Sequence, residues 1–234
     1  MRRLLYYLYE RRLLRQVLAP PMPRHVGIIL DGNRRFAKQR GLTEFREIYG
    51  LGAQKLDDVL SWCDQLRIPA VTLWVCSTEN LQRAPEEAAG ILAAVEDKLR
   101  ALTVDPHIHH RRVRVRAAGR LGLLPESTAA VIREAEKATA GYDSMTLTIA
   151  VAYGGREEIV DAVQSLIRDK AKDCGKAYDI AEEITPETIA RYLYSPDLPD
   201  PDLIIRTSGE IRLSGFLLWQ SAYSEFYFSD VYWP

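Results

Sequence analysis

The feature that most limits what this chain can fold into is a recurrence of short, β-branched apolar runs separated by longer helical stretches. "HVGIIL" (25–30), "AVTLWVCS" (70–77), "RRVRVRAAG" (111–119), "MTLTIAVAY" (145–153) and "DLIIRT" (202–207) read as strands. Between them, helices are expected from about Gly50 to Leu66, from Pro85 to Leu102, from Pro125 to Thr139, along "REEIVDAVQSLIRDKA" (156–171) and in "TPETIARYLY" (185–194). A closing segment contains "SEFYF" (224–228). Strands separated by crossover helices pair side by side in the same direction. The expectation is therefore an α/β fold with a mostly parallel central sheet flanked by helices. A chain of 234 residues with 47% hydrophobic composition can bury one sizeable core. The reading is a single domain over residues 23–234, preceded by a helical extension over 1–22.

That extension, "MRRLLYYLYERRLLRQVL" (1–18), carries five arginines and one glutamate among leucines and tyrosines, then meets the turn-forming "APPMP" (19–23). It reads as a basic amphipathic helix. It either contacts a membrane surface or partner, or covers the domain's own apolar edge. The whole chain has no such bias: 31 Lys and Arg stand against 32 Asp and Glu, so nothing draws it over long range to nucleic acid, and any anion binding is local. Cys63, Cys76 and Cys174 lie far apart without a CxxC pair, which argues against a disulfide framework or zinc site and for reduced, cytoplasmic thiols. No apolar run approaches the roughly 20 residues that span a bilayer, and the amino terminus lacks the apolar core of a secretory signal.

In open α/β sheets, ligands bind outside the carboxyl ends of the strands. Charged and small residues gather there in four loops. In "DGNRR", Gly32 lets the backbone turn tightly into a helix whose first amides, with Arg34 and Arg35, favour an anion. Asp31 fits beside a phosphate only with a cation between them, and Mg²⁺ typically takes one or two carboxylates plus phosphate oxygens. The competing reading is an N-cap aspartate with surface arginines. In "STENLQR" (77–83), Ser77 or Asn80 can orient a substrate or relay a proton, and Arg83 can clamp a phosphate; capping by Ser77 or Thr78 is the alternative. Gly154, Gly155 and Arg156 follow the fourth run. "RTSGEIRLSG" (206–215) sets Arg206 and Arg212 about a Ser-Gly turn with Ser214 beyond, a cradle suited to a diphosphate. "HIHH" (107–110) sits in an expected loop with no matching cluster, so a metal site is not expected there. There is no P-loop, no dinucleotide fingerprint and no GxSxG elbow.

Taken together, "HVGIILDGNRR", "STENLQR", "YGGREEIVDA" and "PDLIIRTSGEIRLSGFLLWQSAYSEFYF" resemble the cis-prenyltransferases, the undecaprenyl diphosphate synthase family, in order from about residue 23 onward. The resemblance implies condensation of isopentenyl diphosphate with an allylic diphosphate, forming a Z double bond and releasing pyrophosphate with Mg²⁺ as cofactor. It also implies a homodimer with an elongated hydrophobic tunnel in each subunit. By this resemblance Asp31 is the essential aspartate that positions the metal. Gly32, Asn33, Arg34, Arg35 and Arg83 hold the allylic diphosphate, and Asn33 and Ser77 assist proton removal. Arg206, Arg212 and Ser214 hold isopentenyl diphosphate, and Glu225 reaches the partner subunit's site and its Mg²⁺.

Several positions depart from the family pattern. Phe36 replaces its tryptophan, Arg34 a frequent glycine, and Tyr49 a histidine; Cys76 replaces an aromatic and Leu81 a tryptophan. An arginine usual just upstream of Tyr49 has Arg46 as its candidate replacement. Members commonly continue beyond "VYWP" into a basic segment. The substitutions and the "YYLYERRLL" extension resemble the short-chain branch that makes Z,E-farnesyl diphosphate. A long-chain synthase and a non-catalytic subunit of a prenyltransferase complex are the rival expectations.

Overall fold

The computed structural model describes residues 2–18, 21–173 and 181–234; Cys174 lies outside them. Six strands form one sheet: β1 (His25–Ile29), β2 (Ala70–Trp74), β3 (Val113–Ala118), β4 (Met145–Ala150), β5 (Leu203–Arg206) and β6 (Glu225–Phe228). Their order is β3-β4-β2-β1-β5-β6 and every pairing is parallel. The sheet is thus more uniform than the mostly parallel one expected. "SEFYF" supplies its sixth strand, on the β5 edge.

Helices α1 (Arg2–Val17), α2 (Asn33–Arg40), α3 (Phe45–Gln65), α4 (Pro85–Val104), α5 (Pro106–His110), α6 (Glu126–Thr139) and α7 (Gly155–Asp173) surround it, with a five-residue turn of helix at Pro186–Ala190. Alternation along β1 sends Val26 and Ile28 into one core with Leu56 of α3, Leu99 of α4 and Ile132 of α6. Ile29 enters a second core with Tyr153, Ile204 and Phe216. Central strands buried on both faces read as continuous apolar runs for this reason.

Three local expectations change. First, α3 begins at Phe45, not near Gly50, because its glycines sit inside the helix: a Cβ on Gly52 would lie 2.7 Å from Asn33 Oδ1. Second, "HIHH" is in α5, where the Asp105 side chain accepts from the His107 N–H at 2.8 Å. The His109 ring is occupied by Tyr142 and the Thr103 carbonyl. Third, several apolar side chains of α1 face solvent. Leu5, Tyr7, Tyr9, Leu13 and Val17 are all exposed.

Where β1 hands the chain to β2 on one side, β5 hands it to β6 on the other. The carboxyl ends of β1 and β5 therefore flank the topological switch point, where a crevice opens. Ile29 pairs with Arg206 in register, so the loops that begin at residues 30 and 207 leave the sheet side by side.

Candidate active site

The first loop turns at Gly32, which has φ +114°; a Cβ there would lie 2.9 Å from the Trp233 nitrogen and from Tyr232 Cα. Only glycine meets both demands. Gly32 is also the cap residue of α2, with no side-chain cap, so Asp31 is not the helix cap. Its carboxylate turns instead to Arg206, whose Nη2 donates to Oδ2 at 2.7 Å, while Arg35 stands 3.7 Å from Oδ1. Arg206 is 5% exposed and also donates to the Arg212 carbonyl at 2.5 Å and Ser214 Oγ at 2.8 Å; its Nε is buried without a partner. Burial pushes the Asp31 carboxyl up, but donors on Arg206 and Ser208 and the charges of Arg206 and Arg35 outweigh it, leaving the group below its ordinary range.

After β2, Ser77 N–H donates to Asn80 Oδ1 at 3.0 Å and Asn80 N–H donates to Ser77 Oγ at 3.1 Å. The capping alternative therefore describes how this loop is held. Both side chains nevertheless line the cleft. Arg83 donates to Glu87 Oε1 at 2.7 Å, as does the Tyr49 hydroxyl at 2.8 Å, and Arg34 Nε lies 3.8 Å away. Glu87 is 6% exposed. Burial raises its pKa, yet these donors bring it below the usual glutamate range, while burial and the neighbouring Glu87 push the Tyr49 phenol up. The sequence reading missed Glu87; its visible signal was the four-residue spacing from Arg83.

The loop after β5 is wound through positive φ at Ser208, Gly209, Ser214 and Gly215. Two of these are not glycine, so the loop holds backbone strain of a kind common at functional sites. Gly155 N–H donates to the Gly215 carbonyl at 3.0 Å and braces this loop from behind. Gly154, Gly155 and Arg156 do not line the cleft, contrary to expectation; the two glycines are buried and Arg156 is exposed. Arg46 is likewise elsewhere, paired with Asp97 at 2.8 Å. Glu225 stands at the opposite, amino end of its strand, in register with Leu203.

All the other residues expected at the site meet in one cleft of about 820 Å³. Asp31, Gly32, Asn33, Ser77 and Ser214 line it with six cations: Arg34, Arg35, Lys38, Arg83, Arg206 and Arg212. Glu210 tethers two of them, accepting from Arg35 at 3.2 Å and pairing with Arg212 at 2.5 Å. The cleft shares Leu30, Asn33, Tyr49, Val75 and Ile91 with an apolar cavity of about 60 Å³ that continues between α3, α4 and the sheet. Trp233 closes one side of it, with Nε1 donating to the Gly52 carbonyl at 3.1 Å. Such a site suits a ligand with a polyanionic head and an apolar tail.

Among the described residues, no group of three or more His, Cys, Asp or Glu side chains forms a metal cage. Asp31 Oδ2 takes the hydrogen bond from Arg206, while Oδ1 faces Arg35 at the longer distance of 3.7 Å. The carboxylate can hold a divalent ion only where the ligand supplies most of the other oxygens, and that is how Mg²⁺ usually binds phosphates.

The family model described as undecaprenyl diphosphate synthase matches residues 29–234. A tritrans,polycis-undecaprenyl-diphosphate synthase (geranylgeranyl-diphosphate specific) from Methanopyrus kandleri is 52% identical, over 98% of this chain and 83% of its own length. A (2Z,6E)-farnesyl diphosphate synthase from Thermobifida fusca is 48% identical, over 98% and 88%. The crystal structure of lavandulyl diphosphate synthase from Lavandula x intermedia in complex with dimethylallyl diphosphate superposes with a TM-score of 0.81 at 34% identity, covering 89% of this chain and 87% of that one.

Proposed function

The chain belongs to the undecaprenyl diphosphate synthase family of cis-prenyltransferases, and from that premise we propose that it joins isopentenyl diphosphate to geranyl or farnesyl diphosphate, with Z,E-farnesyl diphosphate as its main product. The observation that carries this reading is the direct passage from a six-cation cleft into an apolar cavity of about 60 Å³. At roughly 10–15 Å³ for each water-sized group, the cavity has room for about one five-carbon unit beyond the head. A cavity this small favours a short prenyl tail over one of many isoprene units.

In the reaction, the carbon–oxygen bond of the allylic diphosphate breaks as its first carbon bonds to the terminal carbon of isopentenyl diphosphate, which then loses a proton. Gly32, Asn33, Arg34, Arg35 and Arg83 hold the allylic diphosphate, with Glu87 and Tyr49 fixing the Arg83 guanidinium. Arg206, Arg212 and Ser214 hold isopentenyl diphosphate. Guanidinium groups aimed at the departing oxygens stabilise the charge that develops there. Asn33 Oδ1, buried without a partner, and the Ser77 hydroxyl assist removal of the proton. Asp31 positions Mg²⁺, which when bound supplies positive charge to the leaving pyrophosphate.

Two further parts of the reading concern assembly. The protein acts as a homodimer in which Glu225 serves the partner subunit's site. It works in the cytoplasm, and the exposed basic face of α1 rests against the membrane; among the described residues, no helix is long and apolar enough to cross one. The long-chain name of the Methanopyrus relative favours a second reading, a polyprenyl product.

Incubation with Mg²⁺, labelled isopentenyl diphosphate and, separately, geranyl, farnesyl or geranylgeranyl diphosphate decides between them. A single C15 Z,E product from geranyl diphosphate supports the short-chain reading. A ladder to about C50 replaces it with the long-chain one. No product from any starter leaves a non-catalytic subunit.

A further inference from the structure

The wall of the apolar cavity contains one formally charged side chain among the described residues, Lys98 of α4. It lies on the helix stripe formed by Ile91, Val95 and Leu102, so its stem faces the same space as theirs. Ile91 stands at the mouth that cavity and cleft share, and Lys98 is seven residues further along, about 10 Å deeper.

The lysine side chain is 11% exposed, and its Nζ donates to Asp57 Oδ1 of α3 at 2.5 Å. Asp57 is 60% exposed at its side chain and does not line the cavity. The methylene stem therefore belongs to the cavity wall while the charge is drawn outward, in the manner of long cationic side chains. The pair ties α3 to α4 across the seam through which the cavity could otherwise widen.

A leucine or methionine at this place would yield to a growing hydrocarbon tail by changing rotamer. Lys98 has no such freedom. Moving its stem aside means either turning the ammonium toward hydrocarbon, where an unpaired charge is strongly disfavoured, or giving up the Asp57 bond that holds the stem in its rotamer. We propose that Lys98, anchored by Asp57, sets the product length of this enzyme by stopping the prenyl tail at the α3–α4 seam. Lys98 acts as the stop and Asp57 as its positioning residue. The inference rests on reading the apolar cavity as the prenyl tunnel.

The test compares wild type, Lys98→Ala and Asp57→Asn with labelled isopentenyl diphosphate and, separately, geranyl, farnesyl or geranylgeranyl diphosphate, resolving the products by chain length. Both variants are expected to give products longer than wild type by one or more isoprene units. Asp57→Asn carries the sharper information, because it is conservative, exposed and outside the cavity, so a purely steric role for the lysine stem would leave its products unchanged. An active wild type with unaltered lengths in both variants overturns the proposal, as does lengthening by Lys98→Ala alone, which would assign the stop to bulk and not to anchoring. A folded wild type that elongates no starter overturns the tunnel reading and this inference with it.

Discussion

At the scale of single residues, Asp31 and Arg206 are each other's principal partner, and the consequence differs for the two. Arg206 is buried, with Nη1 committed to the Arg212 carbonyl and Ser214 and Nε left without a partner, whereas the Asp31 side chain is about a third exposed to the cleft. Asp31→Asn preserves shape and removes the charge. It is expected to lower kcat by about 10²-fold or more and to cost about 1–3 kcal/mol of stability through the weakened bond to Arg206. Steady-state kinetics with thermal melts checks both, and a near-native rate would remove Asp31 from the mechanism. Because the Asp31 pKa lies below the ordinary 3.8, its contribution to stability is complete above that value and is lost only as pH falls through the lower folded-state value. An acid limb in the rate profile near pH 5 to 6 therefore belongs to another group. The residues legible in the sequence were those whose charge follows a strand directly, such as Asp31 and Arg206. Glu87, Trp233 and Lys98 were not legible, because each owes its place to a helix or segment docking from elsewhere in the chain.

At the scale of elements, β1 is the strand that fixes the site, and its first residue is a buried histidine. His25 Nδ1–H donates to the Pro199 carbonyl at 2.7 Å, and Nε2 lies 2.8 Å from the Thr72 hydroxyl, which can donate to it when the ring is neutral. Burial lowers its pKa below the ordinary 6.5, against the raising effects of the Pro199 carbonyl and of Asp202 and Asp200. The unfolded chain then takes up a proton at a higher pH than the folded one, so stability falls as pH drops below about 6.5 toward the folded-state value. Melting wild type and His25→Gln between about pH 7.5 and 5 is expected to show a steeper loss in wild type; parallel curves would clear His25 of this role. The strands were readable because burial on both faces makes them apolar throughout. The sixth strand was harder. It is four residues long, its side chains are largely exposed, and no crossover helix precedes it. The start of α3 was misplaced because glycine reads as a breaker, whereas Gly52 is there for the close approach of Asn33 and Trp233.

At the scale of the whole molecule, a chain of net charge −1 gathers six cations on one rim of its sheet and leaves Glu225 at the other end of the strands. Within one subunit Glu225 cannot serve the Asp31 site, so the proposed dimer makes a definite prediction. Heterodimers of an Asp31→Ala chain and a Glu225→Ala chain contain one site with both residues intact, and about half of wild-type activity per dimer is expected. Confirmed heterodimers as inactive as either parent would place Glu225 outside the partner's site. The fold joins distant parts of the chain in another way: Trp233 N–H donates to the Asp31 carbonyl at 3.0 Å while its indole seals the cavity wall at Gly52. Ribosomes add about 5–20 residues per second, so Asp31 emerges about ten to forty seconds before the tryptophan that completes its surroundings. The nascent protein therefore exists for that interval without a finished diphosphate cradle, and the site matures only once Trp233 has emerged.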